Sequence, residues 1–149
     1  MTNPSGIGAS VPRKEDPAFL TGAGCFTDDI RRDGVAHGLV VRSPYPHARI
    51  ARIDVAAARA APGVLAVLTA ADIAEDVPNP IPSFANTPPF NIATRDGAAL
   101  PDAEQYPLAR ERVRYVGEPV VFVVAETLAQ ARDAAELIEN DYQVLPAVA

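Results

Sequence analysis

The sequence is short of most of the side chains from which reactive sites are built. Its 149 residues hold one cysteine, one methionine, no tryptophan, two histidines and a single lysine, Lys14. A lone cysteine, Cys25, excludes an intrachain disulfide. Cys25, His37 and His47 are also too few and too poorly spaced for zinc, which takes three or four ligands. Cys25 is expected to be a small buried or half-buried thiol, and the histidines structural. Positive charge is scarce as well. The net charge is −6 and the basic residues are scattered arginines, which excludes the clustered Lys and Arg that phosphate contacts require. No apolar run reaches the roughly 18 residues of a membrane span. Met1 to Val11 lacks the charged start and apolar stretch of a signal peptide, so a reducing, cytoplasmic location is expected.

Reaction motifs are missing too. There is no G-x-S-x-G, P-loop or H-E-x-x-H. Gly6-Ile7-Gly8-Ala9-Ser10 and Gly22-Ala23-Gly24 are rich in glycine but lack the strand before and helix after that make such a run bind phosphate. Asp28, Asp29 and Asp141 read as turn-capping or solvated carboxylates. The expectation is that no catalytic, cofactor-binding or metal-binding residue lies in this chain.

What is present is an apolar fraction of 48%, enough for one domain to bury a core without staples. Residues 1–18 are polar, punctuated by Pro4, Pro12 and Pro17, and predict an extended N-terminal arm; residues 19–149 form the domain proper. Asp33-Gly34 marks a turn before a strand from Val35 to Arg42, ended by Ser43-Pro44-Tyr45-Pro46. Arg49 to Asp54 reads as a strand, and Asp54 as the N-cap of a short helix over Val55 to Ala61, stopped by Pro62-Gly63. The continuous apolar run Val64 to Thr69 predicts a strand covered on both faces.

Arg112 to Val116 predicts a strand. Val120 to Ala125, mostly β-branched, predicts another that is buried on both faces. Thr127 and Gln130 form a capping box for a helix whose Leu128, Ala131, Ala134, Ala135 and Ile138 face inward, with Arg132, Asp133 and Glu136 in water. Glu139 to Val144 closes as a strand. Strand, helix, strand occurs twice, so the fold class is α/β (α+β), with a mixed sheet and crossover helices on one side.

Between Pro78 and Pro107 periodicity vanishes and seven prolines intervene (78, 80, 82, 88, 89, 101 and 107). A long loop without structure of its own is unusual within a domain and is generally functional. Phe84, Phe90 and Ile92 have no evident core to enter, which makes them the candidate partner-interface residues.

Several stretches also resemble the opening of the molybdenum-binding large subunit in the xanthine dehydrogenase, aldehyde oxidase and carbon monoxide dehydrogenase family. They are Arg13 to Ile30 (RKEDPAFLTGAGCFTDDI), Val41 to Ile50 (VRSPYPHARI), Pro62 to Thr69 (PGVLAVLT), Val113 to Val120 (VRYVGEPV) and Asp141 to Pro146 (DYQVLP). They keep family order, cover nearly the whole chain, and look most like the carbon monoxide dehydrogenase-like bacterial branch. Cys25 stands where the family tends to have a basic residue, and Pro46 where alanine is more usual.

The resemblance implies an α/β-hammerhead domain, non-catalytic in itself. It would support assembly of an oxidoreductase that hydroxylates a small substrate with water-derived oxygen. The implied partners are the catalytic molybdopterin-binding region of the same large subunit, which would hold the molybdenum cofactor, and subunits or domains carrying [2Fe-2S] clusters and FAD. The alternatives are a stand-alone interaction or scaffold domain retaining the fold without catalysis, and a small enzyme using Cys25.

Overall fold

The computed structural model of the chain describes residues 13–86, 88, 89, 92–100 and 104–147. The chain falls into two units, one ending at Val35 and the other beginning at Ala36. In the first unit a helical turn, α1 (Asp16–Leu20), occupies part of the segment predicted to be extended. It forms because Pro17 suits the first turn of a helix and Asp16 reaches back to the Arg13 amide. The rest of the predicted arm, residues 1–12, lies outside the described residues. Gly24 sits against the Phe19 ring, where a Cβ would come within 2.3 Å. Phe19 and Phe26 stack in parallel with centroids 5.1 Å apart, which accounts for glycines set among aromatics.

The second unit contains β1 (His37–Arg42), β2 (Ala48–Asp54), α2 (Ala56–Arg59), β3 (Val64–Thr69), β4 (Arg112–Val113), β5 (Pro119–Ala125), α3 (Leu128–Glu136) and β6 (Glu139–Val144). The α/β class stands, but the single mixed sheet does not. Two three-stranded sheets form instead, ordered β1-β5-β3 and β4-β2-β6, and every pairing is antiparallel. The reason is partly length. Residues 55–63 are too few for a parallel crossover, which takes a dozen or more residues. After β5, both neighbouring places in its sheet are already held by β1 and β3. Each helix therefore carries the chain from one sheet into the other.

The β-branched run of β5 forms the centre. Val120, Val121, Val123 and Ala125 are fully buried, while Phe122 and Val124 are half-buried. Gly38 makes room for the Phe122 ring, which a Cβ at that position would meet at 2.6 Å. Ala48, Val55, Ala58, Val67, Ala109, Val113, Ala131 and Ala134 pack around β5 in one buried cluster, at roughly 1.5–3 kcal/mol for each valine removed from water.

Local signals worked at the start of α3. Thr127 accepts the Gln130 amide, although the Gln130 side chain accepts from the Thr127 hydroxyl rather than returning to the Thr127 amide. At α2 the expectation is corrected: Asp54 accepts the Ala56 N–H, but the N-cap is Val55, and the helix ends at Arg59 with Ala60 as its C-cap, ahead of Pro62 and of Gly63 with its left-handed φ of +74°. Two burial expectations are corrected. Leu65 is 58% exposed because β3 is an edge strand, and Leu128 is 38% exposed because it opens α3. The predicted strand Arg112 to Val116 ends at Val113, where a turn takes over.

Candidate functional site

The proline-rich segment leaves the second unit at a pinched base. The Arg110 guanidinium donates to the Val77 carbonyl at 2.6 Å and lies 3.7 Å over the Tyr106 ring. The Ile81 N–H donates to the Gln105 carbonyl at 2.7 Å. Beyond the base the loop has more structure than its sequence predicts. Phe84–Asn86 form a 3-10 turn, and Ala93 bridges Ala99 across a tight turn through Thr94 and Gly97. Prolines erase hydrophobic periodicity without preventing such turns.

Two of the three candidate interface residues are brought together. The Ile92 N–H donates to the carbonyl of Ala85, which neighbours Phe84 in the 3-10 turn. Phe84 is 69% exposed and Ile92 48%. Phe90 lies outside the described residues. Ile81, 46% exposed, belongs with them and was missed; its signal was an isoleucine flanked by Pro80 and Pro82.

Three of the stretches that carry the resemblance interlock in the second unit. Ser43 N–H donates to the Glu118 carbonyl at 2.9 Å and Gly117 N–H to the Ser43 carbonyl at 2.8 Å, while Arg42 donates to the Gly117 carbonyl at 2.8 Å. The Ser43 hydroxyl is buried and bonds the backbone of Tyr45. The Glu118 carboxylate is buried and accepts the Arg114 N–H. Nδ1 of His47 lies 2.7 Å from the Pro146 carbonyl, so that nitrogen carries the proton and donates. The Tyr45 and Tyr142 rings meet at 5.3 Å, and burial, with Tyr45 beside it, raises the Tyr142 hydroxyl above its ordinary 10.0. All of these contacts brace the backbone.

The remaining polar candidates stay apart. Cys25 is exposed in the first unit, not buried as expected, and its sulfur approaches the Phe26 carbonyl at 3.7 Å. Asp29 caps the Phe26 N–H, Asp28 is exposed in the same 3-10 turn, and Asp141 is exposed on β6. His37 opens β1 and is exposed. Among the described residues no three His, Cys, Asp or Glu side chains gather as metal ligands would. No helix among them is long and apolar enough to cross a membrane.

Residues 21–146 match the family described as aldehyde oxidase and xanthine dehydrogenase, a/b hammerhead domain. The nicotine 6-hydroxylase large subunit of Paenarthrobacter nicotinovorans is 43% identical over 143 residues, covering 95% of this chain and 16% of that protein. The carbon monoxide dehydrogenase large chain of Afipia carboxidovorans is 40% identical over 141 residues, with coverage of 95% and 16%. Quinoline 2-oxidoreductase from Pseudomonas putida 86 superposes with a TM-score of 0.77 at 43% identity, over 95% of this chain and 17% of that one. The chain therefore spans only 16% of the length of the curated relatives it matches. It belongs to the aldehyde oxidase and xanthine dehydrogenase family, as its a/b hammerhead domain.

Proposed function

We propose that this chain is the N-terminal, non-catalytic domain of a molybdenum-hydroxylase large subunit, and that it supports assembly of the enzyme. The observation that carries this reading is the match over residues 21–146 to a domain that makes up 16% of relatives such as the nicotine 6-hydroxylase large subunit. The assembled enzyme would hydroxylate a small substrate with oxygen from water, in the cytoplasm. The molybdenum cofactor would supply its redox centre, and iron–sulfur and FAD subunits would carry the electrons away. The residues described here do not fit that cofactor. The thiol is exposed in the first unit, and the buried polar side chains Ser43 and Glu118 are spent on backbone hydrogen bonds. Holding the cofactor falls to the rest of the large subunit, and no chemical step is assigned to this chain.

The contribution of the chain is packing. Ile81, Phe84 and Ile92 present exposed apolar surface on a loop pinched at its base, and Phe90 lies in the same segment. Prolines limit the conformations lost when such a segment orders on a partner, here the catalytic region of the same subunit.

Metal analysis and absorbance spectra of the complete polypeptide with its copurifying subunits test this reading. Molybdenum, flavin and iron–sulfur bands are expected there, and neither molybdenum nor oxidoreductase activity in the isolated 149-residue chain. Stoichiometric molybdenum in the isolated chain, or a complete protein without it, would overturn the proposal.

A further inference from the structure

Arg49 on β2 and Arg112 on β4 are direct cross-strand partners. Their neighbours Ala48 and Val113, also paired, are fully buried, so the two arginines project from the opposite, exposed face of the ladder. Like charges directly opposite one another on a sheet are destabilising. Beyond the backbone ladder, neither guanidinium has a hydrogen bond or ion pair among the described residues. Other arginines of the second unit contrast with this pair. Arg52, farther along β2, is neutralised by Asp54 at 2.8 Å and Glu139 at 3.1 Å. Arg59 holds both oxygens of Asp72. Arg49 instead faces the neutral Gln143 on its other side.

Arg114 extends the patch, and among the described residues its guanidinium meets one carboxylate, that of Glu104, 3.7 Å away. Glu111, on the same stretch, lines a hollow with Arg112 and Arg114, and Asp141 stands exposed two residues before Gln143 on β6. On the other flank Arg112 and Arg114 border an open hollow of about 590 Å³ walled by Pro46, Tyr115, Val116 and Pro146. Val116 is 63% exposed and Tyr115 44%. Exposed guanidinium forks beside an aromatic and aliphatic shelf, in a chain of net charge −6, form a local surface complementary to carboxylates on a polypeptide. Arg and Tyr together are also the composition of interaction hot spots.

Resting on the reading above, we propose that this face, centred on Arg49 and Arg112, docks an acidic segment of a separate partner subunit. A charged, solvent-accessible patch is the composition found at the rim between separately folded subunits, whereas permanent apolar interfaces exclude charge from their centres. The arginine forks would take carboxylates bidentately, and the Tyr115–Val116 shelf would cover the apolar side chains between them. Attraction of this kind weakens as salt rises.

The test uses the complete enzyme complex. Arg49→Gln with Arg112→Gln should release a partner subunit at lower NaCl than the wild type on size-exclusion chromatography, with affinity about tenfold weaker. Arg132→Gln, half that charge change and on the exposed side of α3, should leave the salt profile unchanged. Molybdenum content reports whether the double variant still folds. A double variant that retains its molybdenum and the wild-type salt profile overturns this inference alone. A complete protein with no molybdenum and no copurifying subunit overturns it together with the proposed function. Arg112→Lys supplies an amine for zero-length carbodiimide cross-linking. A link to Asp or Glu of another subunit supports the proposal, and a link to the remainder of its own chain overturns it.

Discussion

The carboxylate of Glu118, 2% exposed, accepts the backbone N–H of Arg114 and closes the turn through Tyr115, Val116 and Gly117 from the inside. The Glu118 carbonyl meanwhile receives the Ser43 N–H, so one residue ties two corners of the chain together. A buried acid used in this way leaves an unsatisfied amide when it is removed. Glu118→Ala should therefore lower the stability of the chain by about 2–3 kcal/mol, and Glu118→Gln by less, since the amide oxygen still accepts. Urea midpoints decide it; an Ala variant as stable as the wild type would mean that the turn closes without the side chain.

The middle of β5 offers a cruder test. Val121 and Val123 are both fully buried, and a carboxylate there finds no partner. Val121→Asp or Val123→Asp should prevent folding, at several kcal/mol each. Glu136→Ala, exposed at the end of α3, should stay within roughly ±0.5 kcal/mol. Circular dichroism melts that coincide for the two classes would contradict the burial described.

Asp72 carries a pH signature. Its carboxyl is held below the ordinary 3.8, first by the Thr69 hydroxyl, next by the Thr69 N–H, against some desolvation, and then by Arg59. The folded state thus binds this proton less readily than the unfolded state. The resulting stability is complete above pH about 4 and disappears as pH falls through the folded-state value. Asp72→Asn should be less stable than the wild type at pH 7, by a small margin at so exposed a site, and the gap should close in acid. A gap that stays constant from pH 7 down to the acid limit would show that the carboxylate is not the source.

Hydrogen exchange reads the proline-rich segment. In the isolated chain the bonded amides of Ile81, Ile92 and Thr94 should exchange more slowly than that of Arg95, for which no acceptor is found among the described residues. In the complete enzyme, Ser83 to Ala85 and Ile92 to Gly97 should become protected together as the exposed Phe84 and Ile92 are covered. Identical exchange in both preparations would remove this segment from the docking surface.

Local chemistry made much of this legible. The β-branched run of β5 and the Thr127 cap each act within a few residues, and each appears where the pattern places it. Partner choice between strands does not act locally. Nothing in Val64 to Thr69 says that its far edge stays open, so Leu65 reads as core and stands exposed. The same gap hides the opposed pair Arg49 and Arg112, residues remote in sequence that only the β2–β4 register brings together. Phe84 and Ile92 were recognisable as apolar residues without a period. Ile81 was as recognisable, but the loop's pinched base, from Ile81 to Gln105, was not.

The sheet order has a further consequence for how the domain comes into being. One sheet takes its centre, β5, from the second half of the chain and its flanks, β1 and β3, from the first. The other takes its centre, β2, from the first half and its flanks, β4 and β6, from the second. The halves are interleaved like the fingers of two hands, joined by the proline-rich loop. On the ribosome neither sheet can close until β5 and β6 emerge, so the nascent first half waits as three unpaired strands in need of protection. A protease cut within residues 78–107 should leave two fragments that hold each other in place and fold only as a pair, each supplying the other's missing middle.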